Sequence, residues 1–371
     1  MTNTPDGGSA APSRSGSTTR IIAAVVLILA GIGICVWNEG NAQRRGSALD
    51  EAQRAAVAMP SIDSVDPAFD GKLVLASGRA TPAQNVVDPL FDLTVPSPVL
   101  VLRREVEYFQ WHERKSTSTT KAADGSSKTS TSYTYTPDWT RKPIDSRSFH
   151  TPQGHDNTLR LTPGVEHQMQ DAVFYSPQVA FGAYLLPDFL LKILGENAKA
   201  RENFAPPFTE VQLGALHRKL LRPDGSLGAA IGRAAIDKVA GTVTDALGGH
   251  TGNVVLEALE GGGRAVPMED GSLFLGADPA APMPGDVRVR WYATPATDVT
   301  ILAQVTGNTF QRFATASGQN VTELVLGRID MNEMFKQAAS SGSLVTWLLR
   351  IVGVGLALAG IYSIATRKRA A

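Results

Sequence analysis

The sequence predicts an α+β protein that crosses a membrane once near each end and carries a large β-rich domain between the crossings. Long apolar segments lie near both ends of the 371-residue chain. Between them, apolar residues alternate with polar ones in the period of two that is typical of strands. Lysine plus arginine equals aspartate plus glutamate, 35 each, so no net charge favours nucleic acid and we expect no nucleic-acid partner.

The first apolar segment, 21–37 (IIAAVVLILAGIGICVW), has 17 uncharged residues in a row. This is the short end of what spans a hydrocarbon core of about 30 Å, and Trp37 lies where an interfacial aromatic is expected. A cleaved signal peptide is the alternative, because 41-NAQ-43 loosely resembles a cleavage site. The polar leader of 20 residues and the long apolar run favour an uncleaved transmembrane anchor.

The second apolar segment, 344–365, reads LVTWLLRIVGVGLALAGIYSIA. Arg350 interrupts it about two turns from its start, where a long side chain can still reach the membrane interface. Trp347 and Tyr362 lie near its two ends. A buried core helix is the alternative, but the length, the glycine and alanine content and these aromatics favour a second transmembrane helix.

Basic residues predict the orientation of the chain. Positive charge is concentrated outside both apolar segments, at Arg14, Arg20, Arg367, Lys368 and Arg369. The positive-inside rule therefore makes 1–20 a cytoplasmic, disordered tail and 366–371 a basic cytoplasmic tail. Arg44 and Arg45 argue weakly the other way, but so long a loop translocates largely regardless of its charge. Residues 38–343 then form an extracytoplasmic α+β domain.

That domain has no cysteine, since Cys35 lies inside the first span, so packing alone must hold it together. The sequence predicts a helix over 47–59, strands over 71–81 and 97–115, and two helices over 181–194 and 208–221. Two consecutive antiparallel strands follow at 285–295 and 298–308, and a strand that becomes a final helix covers 321–337. A glycine- and alanine-rich insertion, 222–264, carries a weak amphipathic helix around 236–247. A membrane-surface helix is the less favoured interpretation there, because its apolar face is small.

A β-hairpin over 97–143 is the most distinctive feature of the domain. Asp124-Gly125 is a strong turn dipeptide, and folding the chain there brings 105–115 against about 134–144. The aromatics of the two strands then become cross-strand neighbours: Tyr108, Phe109, Trp111, Tyr133, Tyr135 and Trp139. Tyr108 falls out of phase with Phe109 and Trp111, which predicts a β-bulge. We take this aromatic ribbon as the candidate interaction surface, with His112 and Glu113 at its polar edge and not in a catalytic cluster.

Motifs for chemistry are absent from the sequence: it has no G-x-S-x-G, no H-E-x-x-H, no phosphate-binding loop and no dinucleotide fingerprint. The only local concentration of histidines is His150, His155 and His167. Their spacing is not that of a helical metal pair, so they are weak metal candidates and turn-stabilising roles are favoured. We expect no enzyme activity and no cofactor.

Arginines on the strands allow two interpretations. Arg288 and Arg290 on one strand, and the pair 103-RR-104 on another, could mark a surface that binds anions or lipid headgroups. Charges that alternate along a strand more often form its solvated face, and this is the interpretation we prefer.

Several separated stretches together resemble the LUMA family, the transmembrane protein forty-three family. They occur in the same order and cover most of the chain except 1–20 and 222–264: 37-WNEG-40, 102-LRREVEYFQW-111, 133-YTYTPDW-139, 154-GHDN-157, 285-GDVRVRWY-292 and 347-WLLR-350. The resemblance implies a multispan membrane protein with a large domain between its first two spans. In eukaryotic members that domain faces the endoplasmic reticulum lumen or perinuclear space, and those proteins are associated with organisation of the inner nuclear membrane.

This sequence departs from the family's pattern in two ways. The family continues with two further hydrophobic segments after the second span, and the stretch 222–264 is longer than its family counterpart. The leader and composition suggest a bacterial chain, so the expectation becomes an inner-membrane protein with a periplasmic domain.

Three functions remain open on these grounds. The first is a non-enzymatic scaffold that binds membrane lipids and other membrane proteins, or itself as a homo-oligomer. The second is an exported hydrolase or metal-binding domain that uses the 150–167 loop. The third is an accessory subunit of a transport or envelope-stress system, which a charge partner for Arg350 inside the membrane would favour. The aromatic ribbon and the lack of a reactive cluster favour the scaffold.

Overall fold

The computed structural model describes residues 15–121, 127–221, 264–341 and 343–366. These parts of the chain contain five α-helices and eighteen strands, some of only two residues. The helices are α1 (Ser15–Ala55), α2 (Asp188–Glu196), α3 (Glu210–Leu220), α4 (Met331–Ser341) and α5 (Ser343–Ala365). Short 3-10 helices lie at Pro67–Phe69, Ser146–Ser148 and Ala198–Ala200.

The strands follow one another closely along the chain. In the first half they are β1 (Val57–Ala58), β2 (Leu73–Pro82), β3 (Val87–Asp88), β4 (Leu93–Thr94), β5 (Val101–Lys121), β6 (Ser127–Thr140), β7 (Ala172–Tyr175), β8 (Val179–Phe181), β9 (Tyr184–Leu185) and β10 (Glu202–Phe204). In the second half they are β11 (Arg264–Pro267), β12 (Leu273–Gly276), β13 (Val287–Thr294), β14 (Thr297–Thr306), β15 (Thr309–Gln311), β16 (Phe313–Ala314), β17 (Asn320–Val321) and β18 (Glu323–Leu326).

The chain divides into two compact units. The first contains both ends of the chain and comprises Met1–Gly78, Gly182–Leu185 and Asp298–Ala371. The second comprises Arg79–Phe181 and Leu186–Thr297. Together they give the predicted α+β class, with a helix at each end and strands between.

The second unit is built on a twisted antiparallel sheet in the order β11-β12-β13-β5-β6, with β10 on β13 and β7 on β5. Residues of even number in β5, among them Leu102, Val106 and Tyr108, face the core because successive side chains on a strand point to opposite faces. The helix α3 covers this core with Leu216 and Leu220. A capping box at Thr209 and Gln212 starts α3 by satisfying amide groups that its first turn leaves free.

The first unit packs the far end of α1 against strands and α4. Ala48 and Ala52 of α1 contact a cluster that includes Leu73, Leu302 and Met334. Small alanines on this side of α1 let the helix approach the strands closely, and burial of the apolar side chains around them stabilises the contact. The helix that the sequence predicted over 47–59 is therefore the continuation of α1, which ends at Ala55.

Two expectations about the strands were wrong. Segments 285–295 and 298–308 do form β13 and β14, but β13 pairs with β5, β10 and β12, while β14 pairs with β2, β15 and β18. The alternation of apolar residues correctly predicted both strands, but it does not predict which strands pair with them. The bulge expected in β5 near Tyr108 is not in that strand, because β5 keeps a continuous register with β13 up to Tyr108 and with β6 from Tyr108 onward. It lies on the partner side instead, where Gly285, with a positive φ of 100°, and Asp286 both oppose Phe109.

Several predictions fall outside the described residues. These are the tail 1–14 with Arg14, the turn at Asp124-Gly125, the insertion 222–263 with its weak helix, and the basic tail with Arg367, Lys368 and Arg369. The sequence placed residues 15–20 in a disordered tail, but α1 already begins at Ser15. Arg20 lies in this part of α1, and its side chain is not described.

Candidate interaction surface

The hairpin of β5 and β6 extends well beyond the sheet that carries it. The two strands pair from Tyr108↔Thr140 to Lys121↔Ser127, whereas β13 accompanies β5 only as far as Tyr108. We call residues 112–121 and 127–136 the distal ribbon. In the part of the chain that the structure describes, these residues pair only with each other.

Asn157 marks the point where the wide sheet ends and the distal ribbon begins. The Trp111 amide donates to Asn157 Oδ1 at 2.6 Å, and Asn157 Nδ2 donates to the Trp111 carbonyl at 3.0 Å. A single buried side chain thus satisfies the backbone groups that a neighbouring strand would satisfy. Asn157 lies in the family-like stretch 154-GHDN-157, and these hydrogen bonds fix that loop to β5.

Near the sheet, the aromatic side chains pack on one another. Phe109 lies opposite Trp139, with ring centroids 5.3 Å apart. Trp139 also contacts Phe274 edge-on at 6.4 Å, and the Arg288 guanidinium lies 4.5 Å from the centre of its ring. These contacts join β6 to β12 and β13 on the outer face of the sheet through aromatic and cation–π attraction.

Further out, two histidines from the following loop stack on the ribbon's tyrosines. His155 stacks on Tyr135 with centroids 3.8 Å apart, and His150 stacks on Tyr133 at 4.1 Å. Trp111 meets the His155 ring edge-on at 4.9 Å. The loop therefore lies against the aromatic face of the ribbon and covers part of it.

Glu113 holds this loop in place. Its Oε2 accepts hydrogen bonds from the Tyr135 hydroxyl at 2.7 Å and from the His150 amide. Desolvation raises the pKa of the Glu113 carboxyl, but these two hydrogen bonds, together with charge interactions with His150 and His155, outweigh it and lower the pKa overall. The carboxylate therefore stays charged through the neutral range, and its place at the ribbon is structural.

Tyr108 was expected on this surface but does not lie there. It is 2% exposed and points into the core, where its hydroxyl donates to the Met169 carbonyl at 2.5 Å. Burial of the hydroxyl raises its pKa to about 12. The out-of-phase position that suggested a bulge is thus an ordinary core position. The remaining five aromatics, Phe109, Trp111, Tyr133, Tyr135 and Trp139, are half-buried on the outer face.

The strand arginines are engaged in ion pairs within the sheet. Arg288 and Arg290 both contact Glu107, at 2.7 and 2.9 Å, and Arg290 also contacts Asp270 at 2.7 Å. Arg103 donates to the Gly195 carbonyl at 2.7 Å. Since each guanidinium already has an acceptor within the chain, the interpretation as an anion-binding surface loses its basis.

Arg104 belongs to a buried network that sequence reasoning missed. It forms an ion pair with Asp88 at 2.7 Å and donates to the carbonyls of Gln168 and Gln170. The other oxygen of Asp88 accepts from the Trp291 indole nitrogen at 3.0 Å. The only signal in the sequence was a charge on the face of β5 that otherwise carries Leu102, Val106 and Tyr108. A strand pattern does not reveal which residue such a charge meets.

His150, His155 and His167 do not form a metal site in the described residues, among which no group of three or more His, Cys, Asp or Glu side chains could hold a metal ion. His150 and His155 stack on separate tyrosines, and His167 is exposed.

The two terminal helices, α1 and α5, are long and apolar enough to cross a membrane. They pack through glycines: a β-carbon on Gly31 would collide with the Gly353 carbonyl, and one on Gly360 would lie 2.6 Å from the Ala24 carbonyl. Small residues of this kind allow the close backbone approach by which membrane helices associate.

The polar contacts of this helix pair lie together, just after the apolar run of α1 and near the start of α5. Asn38 donates to the Thr346 carbonyl at 3.0 Å, and Arg350 pairs with Glu39 through bonds of 2.6 and 3.0 Å. Trp37 and Trp347 are about 60% exposed beside them, as expected of an interfacial aromatic belt. Arg350 was expected to reach the interface through its long side chain, and the sequence did not reveal Glu39 as its partner.

These features define an integral membrane protein in which an antiparallel pair of apolar helices carries a β-rich domain with a long aromatic hairpin. The chain belongs to the Transmembrane protein 43 family, whose profile matches residues 108–367. The resemblance derived from the sequence is thereby confirmed.

Curated relatives agree with this assignment. Transmembrane protein 43 of Rattus norvegicus is 25% identical over 340 residues, 89% of this chain and 69% of the relative. The Homo sapiens protein is 26% identical over 326 residues, 85% of this chain and 66% of the relative. The Drosophila melanogaster homolog is 30% identical over 152 residues, 40% of each chain. The chain thus spans about two thirds of the length of its mammalian relatives. No solved structure matches it.

Proposed function

We propose that this protein is a non-enzymatic scaffold that assembles membrane protein complexes through its β-rich domain. The observation that carries the proposal is the hairpin of β5 and β6. It presents half-buried aromatics and an exposed strand edge that has no partner strand among the described residues. Aromatic side chains give large contact areas at low entropic cost, and for this reason they are enriched at protein interfaces.

We also propose that the membrane is a bacterial inner membrane and that the domain lies in the periplasm. The basic residues outside both spans support this orientation. Membrane lipids and other membrane proteins are the partners, since the helix pair exposes large apolar side chains along its length.

Neither alternative function gains from the described residues. The hydrolase or metal-binding alternative needs the histidines of the 150–167 loop to converge, and two of them instead stack on tyrosines. The transport alternative needs a charge partner for Arg350 inside the membrane. Its partner Glu39 lies beyond the apolar run 21–37 and two residues after Trp37, which supports an interfacial position for the pair.

The test is purification of the full chain from its own membrane in mild detergent, followed by mass spectrometry of bound proteins and metals. The proposal expects stoichiometric membrane proteins and no metal. Tyr133→Ala should release them, because it removes an aromatic from the hairpin's outer face. Val211→Ala is the matched control, since Val211 is 81% exposed on α3 and far from the hairpin in sequence.

Two results would contradict the scaffold. One is a chain that purifies without partners under conditions that preserve its fold. The other is bound zinc that is lost from His155→Ala and His167→Ala variants, which would establish the metal-binding alternative.

A further inference from the structure

The edge of β6 that faces away from β5 has free backbone amides and carbonyls only at residues that point away from β5. The backbone contacts of β5 identify which residues those are. Phe109 and Trp111 direct their amides and carbonyls away from β6, toward Gly285, Asp286 and Asn157. In an antiparallel pair, directly opposed residues point their backbone groups the same way relative to the partner, both inward or both outward. Since Trp111 opposes Pro137, the odd-numbered residues of β6 direct their backbone groups outward, away from β5.

The inner part of this edge is closed to further pairing. Pro137 is one of the outward residues and has no amide hydrogen to donate. The next outward amide, that of Trp139, is satisfied by Asp138 Oδ1 at 2.7 Å. Proline at an edge is a common way to prevent strand addition. The open stretch is therefore 129–135, where the outward residues are Thr129, Thr131, Tyr133 and Tyr135.

If this edge pairs with a copy of itself, its main-chain hydrogen bonds run from Thr131 to Tyr135, and the side chains within and beside that stretch are complementary. If two copies of β6 pair antiparallel about a two-fold axis at Tyr133, Lys128 of one copy lies opposite Asp138 of the other. Both of these side chains are exposed and lie on the same face of the strand. Ser130 then opposes Thr136, and Ser132 opposes Thr134, which are favourable hydroxyl pairs. Moving the axis to Tyr135 would instead set Lys128 against Lys142.

We propose that the distal ribbon is a self-association surface, in which β6 of one copy adds to β6 of a second copy in the register centred on Tyr133. This deepens the proposed scaffold and rests on it for the hairpin's role as a binding surface. Strand addition gives affinity through main-chain hydrogen bonds and register through side-chain pairs. A short edge of this kind is weak in dilute solution, but anchoring both copies in one membrane raises their effective concentration.

The test uses single-cysteine variants of the full chain in its membrane, in a Cys35→Ala background that leaves no other thiol. Oxidation should cross-link Tyr133→Cys to itself, because the two-fold axis passes through this position. Thr131→Cys should not cross-link to itself, since the two sites lie about 13 Å apart along the strands. A mixture of Thr131→Cys and Tyr135→Cys chains should cross-link, as should Ser130→Cys with Thr136→Cys, which leaves the histidine stacking intact.

Charge reversal tests the register independently. Lys128→Asp or Asp138→Lys alone should lower the cross-linked fraction by about three- to tenfold through like-charge opposition, and the two changes together should restore it. Absence of cross-links at Tyr133→Cys and in both mixtures would overturn the proposal, as would cross-linking at Thr117→Cys on the β5 edge instead. If partner proteins still co-purify in those cases, the scaffold stands and only the self-association fails.

Discussion

The contacts between Asp88, Arg104 and Trp291 show how single residues stabilise the second unit. Asp88 and Trp291 are fully buried and Arg104 nearly so. Every nitrogen of the guanidinium donates to an oxygen, one to Asp88 and two to main-chain carbonyls. Satisfied in this way, a buried charge pair is tolerated, but removal of one partner leaves the other charge buried and uncompensated.

We therefore expect Asp88→Asn to lower the free energy of unfolding by about 3–5 kcal/mol, because the Arg104 charge loses its counter-ion inside the core. The measurement is thermal unfolding of the full chain in detergent. Asp92→Asn is the control: Asp92 pairs with Lys219 on the surface, where such pairs contribute about 1 kcal/mol or less. Equal losses for the two variants would contradict the buried-pair interpretation.

Tyr108 makes stability depend on alkaline pH. Burial raises the pKa of its hydroxyl to about 12, whereas a tyrosine in the unfolded chain ionises near pH 10. As pH rises from about 10 to about 12, the unfolded state loses this proton while the folded state keeps it, so unfolding becomes easier. The stability linked to this group is present below pH 10 and is lost across that window.

The variant Tyr108→Phe isolates this contribution. At pH 8 it should cost about 1–2 kcal/mol, because the hydrogen bond to Met169 is lost and its carbonyl is left without this donor. Above pH 10 the deficit relative to the unmodified chain should shrink, since phenylalanine does not ionise. A constant difference between the two chains from pH 8 to pH 11 would contradict the assignment.

At the scale of elements, glycine positions determine how closely α1 and α5 approach. Gly31 and Gly353 face each other, whereas a β-carbon added at Gly33 or Gly355 would meet no other atom within 4 Å. Glycines in contact with the other helix and glycines on open faces have the same intrinsic backbone flexibility. The two groups differ only in how closely the other helix approaches them. Van der Waals contact at such positions is a main source of helix association in membranes.

Gly31→Val should therefore separate the helices and destabilise the pair by about 1–3 kcal/mol, the usual cost of overpacking a filled site. Gly33→Val is the matched control, with the same substitution two residues away on an open face. Thermal unfolding in detergent, followed by circular dichroism, compares the two. If Gly33→Val is as damaging as Gly31→Val, helix propensity and not packing explains the effect.

For the whole molecule, the proposed topology is directly testable by thiol labelling. In a Cys35→Ala background, a membrane-impermeant reagent should label Ser118→Cys in intact spheroplasts, because Ser118 is exposed on the distal ribbon. The same reagent should label Ala371→Cys only after the membrane is opened, since the basic tail is expected in the cytoplasm. The reverse pattern would mean that the domain faces the cytoplasm.

Much of the architecture was predictable because it depends on local pattern. Long apolar runs identified the two membrane helices, since a span must satisfy its backbone within one continuous segment. A turn dipeptide with aromatics on both sides identified the hairpin, and the predicted pairing lies within one residue of the observed one. The separated motifs identified the family.

Contacts between distant parts of the chain were decided only by the tertiary structure. These contacts decide whether Tyr108 faces the core and which strands pair with β13 and β14. They also form the ion pairs Asp88–Arg104 and Glu39–Arg350. A periodic pattern records that a residue is buried or charged, because burial and solvation act on each side chain locally. It does not record which residue lies opposite, since that is chosen by the packing of the whole chain.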